Sequence, residues 1–68
     1  MNNLKTIDFL TIKEVAKITG FSYSMAGEII RKLNNELKHK GYLTFKGRVL
    51  TSYFAARVGE DVKKEGLP

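Results

Sequence analysis

Seven of the chain's twelve basic residues fall between Arg31 and Arg57: Arg31, Lys32, Lys38, Lys40, Lys46, Arg48 and Arg57. Glu36 is the single acid among them. Ammonium and guanidinium groups collected in this way neutralise anions, and guanidinium forks onto phosphate oxygens in particular. Elsewhere the charges nearly balance, so the net charge of +5 is focused rather than spread. A focused basic stretch is the electrostatic footprint of a polyanion partner. An ordinary solvated surface would have the same composition, so the position of these side chains decides what they do.

Other chemistry finds no support in the residue types. His39 is the only histidine and sits among lysines, near the predicted negative end of a helix dipole. No glycine-rich phosphate loop follows a strand, and the seven acids are scattered without a facing pair. The chain has no cysteine, so neither a disulfide nor a thiolate zinc site can staple it. No catalytic residue, metal ligand set or cofactor is expected. Apolar runs are far shorter than a membrane span, and no secretory signal pattern opens the chain, so a cytoplasmic protein without membrane contact is expected.

The elements that must position the basic residues begin at Leu10-Thr-Ile-Lys-Glu-Val-Ala-Lys-Ile-Thr-Gly-Phe-Ser22. Thr11 and Glu14 form a Thr-x-x-Glu capping box, and Ile12, Val15, Ala16 and Thr19 share one face of about two turns. Gly20 supplies a left-handed stop, and Ser22 is a preferred N-cap for a second helix running to about Lys40. A short helix, a tight glycine turn and a second helix make a helix-turn-helix, the unit that lays a helix into the DNA major groove. Met25, Ala26, Ile29, Ile30, Leu33 and Leu37 form the apolar stripe of the second helix. Its other side presents Ser24, Gly27, Glu28, Arg31, Asn35 and Lys38, with Lys32 nearby. Small residues there permit close approach to base edges. Ser22, Tyr23 and Ser24 can bond phosphates or bases, Arg31 can fork onto guanine or phosphate, and Glu28 could accept from a cytosine amino group. Tyr23 could equally staple the helix start as a partly buried aromatic.

Gly41 stops this helix. Tyr42–Phe45 and Arg48–Leu50 are β-prone runs separated by Lys46-Gly47, the length of a tight hairpin. Phe9 and Leu10 could pack under the first helix or pair as a short strand. The hairpin's apolar face must lie on the helices, leaving Lys46, Gly47 and Arg48 at a projecting basic tip. Thr51 or Ser52 caps a last helix, with Phe54 and Val58 one turn apart and Gly59 as its stop. Phe9, Phe21, Phe45 and Phe54 read as core rather than as a base-stacking platform. Residues 1–8 and 60–68 read as flexible ends flanking one domain over 9–59.

With the order helix, turn, long helix, basic hairpin, short helix, the chain resembles the winged helix-turn-helix DNA-binding proteins. Among them it is similar to the small excisionases and MerR-like regulators of prophages and integrative conjugative elements. The residues that carry the resemblance are Leu10-Thr-Ile-Lys-Glu-Val-Ala16, Gly20-Phe-Ser22 and Gly41 to Val49 with its Gly47-Arg48-Val49 turn. It covers about Phe9 to Gly59. The second helix is longer than the minimal excisionase pattern, and no coiled coil follows as in full-length MerR-type regulators, so an effector-sensing activator is not expected. The resemblance implies a mainly α fold with a small β-hairpin. It also implies a non-enzymatic accessory protein that binds and bends attachment-site DNA and helps an integrase favour excision. Its partners would be double-stranded DNA and an integrase, with a monomer in solution that binds cooperatively. Two other readings stay open: a small phage or mobile-element transcriptional regulator, and a protein-interaction module acting through the regions around Tyr42 and Tyr53.

Overall fold

A computed structural model describes residues 8–64 of the chain, with side chains through Gly59. The order is β1 (Phe9–Thr11), α1 (Ile12–Thr19), α2 (Tyr23–His39), β2 (Arg48–Leu50) and α3 (Thr51–Lys64). The fold is mainly helical with a small antiparallel sheet, as the sequence predicts.

Both halves of the capping box form at the start of α1. The Glu14 N–H donates to the Thr11 hydroxyl at 3.3 Å, and the Thr11 N–H donates to Glu14 Oε1 at 2.9 Å. Gly20 ends the helix at φ 79°, which an L side chain adopts only at a cost. The Ser22 hydroxyl then accepts from the Met25 N–H at 3.1 Å and starts α2. Seventeen residues later α2 closes in a Schellman turn. The Tyr42 N–H reaches the Leu37 carbonyl and the Gly41 N–H reaches that of Lys38, both at 3.0 Å.

The core is one cluster of Val15, Ala16, Ala26, Ile30, Leu33, Val49 and Phe54, with Leu10, Ile12, Ile29 and Tyr53 packed against it. Leu37 is also buried. Met25, expected in the apolar stripe, is instead half exposed. Phe54 is buried and Phe9 partly so, but Phe21 and Phe45 are about half exposed, against the expectation that all four are core. A domain this small has too little interior for every aromatic ring.

The strand pairing differs from the expected hairpin. Arg48–Leu50 pairs with Phe9–Thr11, in the register Phe9↔Leu50, Leu10↔Val49 and Thr11↔Arg48. Of the Tyr42–Phe45 run only Phe45 touches the ladder, through a bridge to Arg48. The reason lies at Val49, which is fully buried. Leu10 faces it across one edge of β2 and packs on the core, while across the other edge a two-residue turn would set polar Thr44 opposite it, a pair with little apolar area to carry the ladder past the Phe45 bridge. Leu43 is left 85% exposed, so the apolar face of the wing does not lie on the helices as expected.

Helix α3 runs through Gly59 to Lys64 rather than stopping there. Gly59 lacks the positive φ of a stop, and mid-helix glycine costs only about 1 kcal/mol. Residues 60–64, expected as the start of a tail, belong to this helix, while 1–7 and 65–68 lie outside the described residues. The Thr51 N–H donates to the Asp8 carbonyl at 2.9 Å, but the buried Thr51 hydroxyl has no hydrogen-bond partner among the described residues.

A polar lock ties α3 to α2. Arg57 Nε and Nη2 donate to the two carboxylate oxygens of Glu36 at 2.9 and 3.0 Å, and the Tyr53 hydroxyl donates to Oε1 at 2.7 Å. These donors, Arg57 first and then Tyr53, lower the Glu36 pKa from 4.5 to about 2, and the same hydrogen bond raises that of Tyr53. A depressed carboxyl pKa stabilises the fold above the unfolded value and loses that contribution as pH falls through the folded one. Urea denaturation should therefore find Glu36→Gln less stable than the wild type at pH 7. The gap should narrow as pH drops from 4.5 towards 2. A gap independent of pH would contradict the lock. Ile30→Ala should cost about 2–5 kcal/mol, a large share of a small domain's stability, read as a lower denaturation midpoint.

Candidate nucleic-acid interface

Helix α2 is amphipathic in a way that separates structure from surface. Ala26, Ile30, Leu33 and Leu37 are buried, while Ser24, Glu28, Arg31, Asn35 and Lys38 form an exposed ridge at three- and four-residue spacing. Lys32 flanks it. Glu28, Arg31, Lys32 and Asn35 surround one surface hollow of 530 Å³. Ser22, Tyr23 and Ser24 stand exposed at the helix start. Tyr23 is 60% exposed, so it does not staple the helix as a partly buried ring. The Ser22 hydroxyl is engaged as the cap, leaving its O–H as the free donor.

The wing is a tight turn, Phe45-Lys46-Gly47-Arg48, closed by a hydrogen bond from the Arg48 N–H to the Phe45 carbonyl at 3.2 Å. Gly47 has φ 80° and Lys46 does not share the positive φ, the pattern of a type II turn. Lys46 and Arg48 are exposed on it. A groove of 340 Å³ runs between wing and helix, lined on one side by Gly27, Ile30, Arg31 and Asn34 and on the other by Lys46 and Gly47. Arg31 lines both this groove and the neighbouring hollow. Of the predicted helix and wing residues, Gly27, Glu28, Lys32, Asn35, Lys46 and Gly47 thus gather around Arg31, with Ser22, Tyr23, Ser24, Lys38 and Arg48 outside the two depressions.

Gly27 is half-buried, and a Cβ there would meet Ile12 Cδ1 at 3.7 Å, an ordinary contact, so packing against α1 does not require glycine at this position. Asn34 was missed entirely. Its Nδ2 donates to the Phe45 carbonyl at 3.0 Å and the Arg48 carbonyl at 2.8 Å, bonding α2 to the wing. A signal was present: Asn34-Asn35 places two poor helix formers in mid-helix, where a side-chain role has to offset the propensity cost.

Two cations of the basic stretch turn away. Arg57 is neutralised by Glu36, and Lys40 Nζ lies 5.8 Å from the centroid of the Tyr53 ring. Exposed His39 puts Nδ1 2.8 Å from the Asn35 carbonyl. Arg31, Lys32, Lys38, Lys46 and Arg48 remain exposed, and none of them is in an ion pair among the described residues. Five exposed charges over two projecting elements can follow a phosphate backbone, and the guanidinium at their junction can fork onto a base edge. The described residues include no cluster of three or more possible metal ligands and no helix long and apolar enough to cross a membrane.

No protein-family model and no solved structure matches the chain. A curated relative does: the ICEBs1 excisionase of Bacillus subtilis (strain 168) is 36% identical over 47 residues, spanning 69% of this chain and 73% of the relative. With that identity over most of both chains, joined to a three-helix fold with a small sheet, this chain belongs to the excisionases, small proteins of mobile elements.

Proposed function

We propose that this chain is an excisionase-type recombination directionality factor that binds and bends attachment-site DNA as an accessory to an integrase. The observation that carries the reading is the convergence of Arg31 on α2 with Lys46 and Gly47 of the wing around one open groove. The likeness to the ICEBs1 excisionase supports the recombination role. Helix α2 lies in the major groove, with Arg31 and Asn35 at base edges and Ser22, Tyr23, Ser24, Lys32 and Lys38 towards the backbone. Glu28 can accept from a cytosine amino group, a contact opposed by the repulsion of its charge from the phosphates. The wing reaches the flanking backbone through Lys46 and Arg48. Neither contact set requires bond-making chemistry, so the protein acts by binding alone and is not itself an enzyme. A cytoplasmic location fits a protein whose partner is the DNA of a mobile element.

One helix and one wing read few base pairs, each worth about 1–3 kcal/mol. Selectivity then comes from several monomers on adjacent repeats, bound cooperatively to DNA that bends around them.

Gel-shift titrations with competitor DNA over a range of salt test the binding. Log affinity should fall linearly with log salt by about 0.9 per phosphate contacted, and salt-independent binding would exclude the electrostatic reading. Arg31→Ala should cost about 1–3 kcal/mol and relax preference at one or two base pairs, whereas Lys46→Ala should weaken all sequences evenly and reduce the salt slope by about 1. The role itself is tested by an excision reaction with integrase and by permuted-site bending gels. Excision stimulated by the protein, with bent complexes, is the expected result. Tight binding to straight DNA with no effect on excision would point instead to a transcriptional regulator.

A further inference from the structure

The wing of this protein is held on one side only. Its descending limb, Arg48–Leu50, is paired with β1, but its ascending limb, Tyr42–Thr44, has no ladder partner among the described residues. That limb also has little apolar anchorage, since Tyr42 and Leu43 are 56% and 85% exposed. What fixes the turn on the helix is a single amide. Asn34 Nδ2 donates to the carbonyls of Phe45 and Arg48, the first and last residues of the turn, across 11 and 14 positions of sequence. The Phe9 and Phe45 rings add an edge contact at 5.5 Å between centroids. An amide nitrogen has two N–H donors and so serves both acceptors, whereas a carboxylate of the same shape would present only lone pairs to them.

We propose that Asn34 is the positioning residue of the wing, setting where Lys46 and Arg48 stand relative to Arg31 and so how many phosphates the protein engages at once. The proposal rests on the DNA-binding reading above. Asn34 lines the groove beside Arg31 but its amide is occupied by the wing, so its contribution passes through Lys46 and Arg48. A wing already held in place meets phosphate without first losing its conformational freedom, while a loose wing loses much of the gain from its contacts in becoming ordered.

The test uses Asn34→Asp, nearly isosteric and unable to donate, and Asn34→Ala, which removes the amide while favouring the helix. Without DNA, hydrogen exchange at the Arg48 amide should accelerate in both variants while the amides of Ile30 and Leu33 keep their protection. With a duplex, the slope of log affinity on log salt should become shallower by about 1, as Lys46 at the turn tip stops contributing while Arg48 stays held by its pairing with β1. Lys46→Ala should then change affinity far less in the Asn34→Ala background than in the wild type, a non-additivity that a merely destabilised fold would not produce. If Lys46→Ala costs the same factor in both backgrounds, or Arg48 keeps its protection, the proposal is overturned. Absence of duplex binding by the wild type would instead overturn the DNA reading, with the exchange measurement still deciding whether Asn34 holds the wing.

Discussion

Burial of one face of α2 is the constraint on which the rest of this structure depends. Ala26, Ile30 and Leu33 join Val15 and Ala16 of α1, Val49 of β2 and Phe54 of α3 in a single cluster. Every other element touches that cluster, and no disulfide is available to replace it. Because the stripe is buried, the opposite ridge of Ser24, Glu28, Arg31, Asn35 and Lys38 has to face outward. The same packing sets β2 beside the helix and therefore fixes where the wing leaves the body. The exposed ridge and the core are two sides of one helix, so neither can be repositioned alone.

Polar contacts then refine what apolar packing sets coarsely. Glu36 takes both nitrogen donors of Arg57 and the hydroxyl of Tyr53, joining α3 to the side of α2. One effect is mechanical. The other is electrostatic, because the pair removes one acid and one base from the surface and leaves the exposed cations on α2 and the wing. Asn34 makes the corresponding connection on the wing side. Apolar surface remains beyond these contacts: Ile18, Phe21 and Val58 line one depression, and Tyr42, Leu43 and Phe45 another.

Local chemistry was legible in the sequence wherever it acts over a few residues. The Thr11–Glu14 box, the Gly20 stop, the Ser22 cap and the Gly41 stop all stand where their residue types require. The α2 ridge followed from periodicity alone. Long-range choices were not legible. That Arg48–Leu50 pairs along its length with Phe9–Thr11, and with the Tyr42–Phe45 run only at Phe45, is a choice that spacing cannot decide. Gly59 could not be told from a stop, because a helical glycine and a terminating one are the same letter. Of the basic residues, Arg57 looked like the others until the fold brought it to Glu36, and Asn34 looked like a polar neighbour of Asn35 until the wing came within reach.

The central claim is that helix and wing form one rigid, two-pronged surface for duplex DNA. Its most direct measurement is an NMR titration of the labelled chain with a short DNA duplex. The account predicts that the amides of Gly27 and Arg31 and those of Lys46, Gly47 and Arg48 shift together along one binding curve, with Ile18 and Val58 unmoved. Shifts confined to α2 with a silent wing, or centred on the Ile18 and Val58 face, would contradict it.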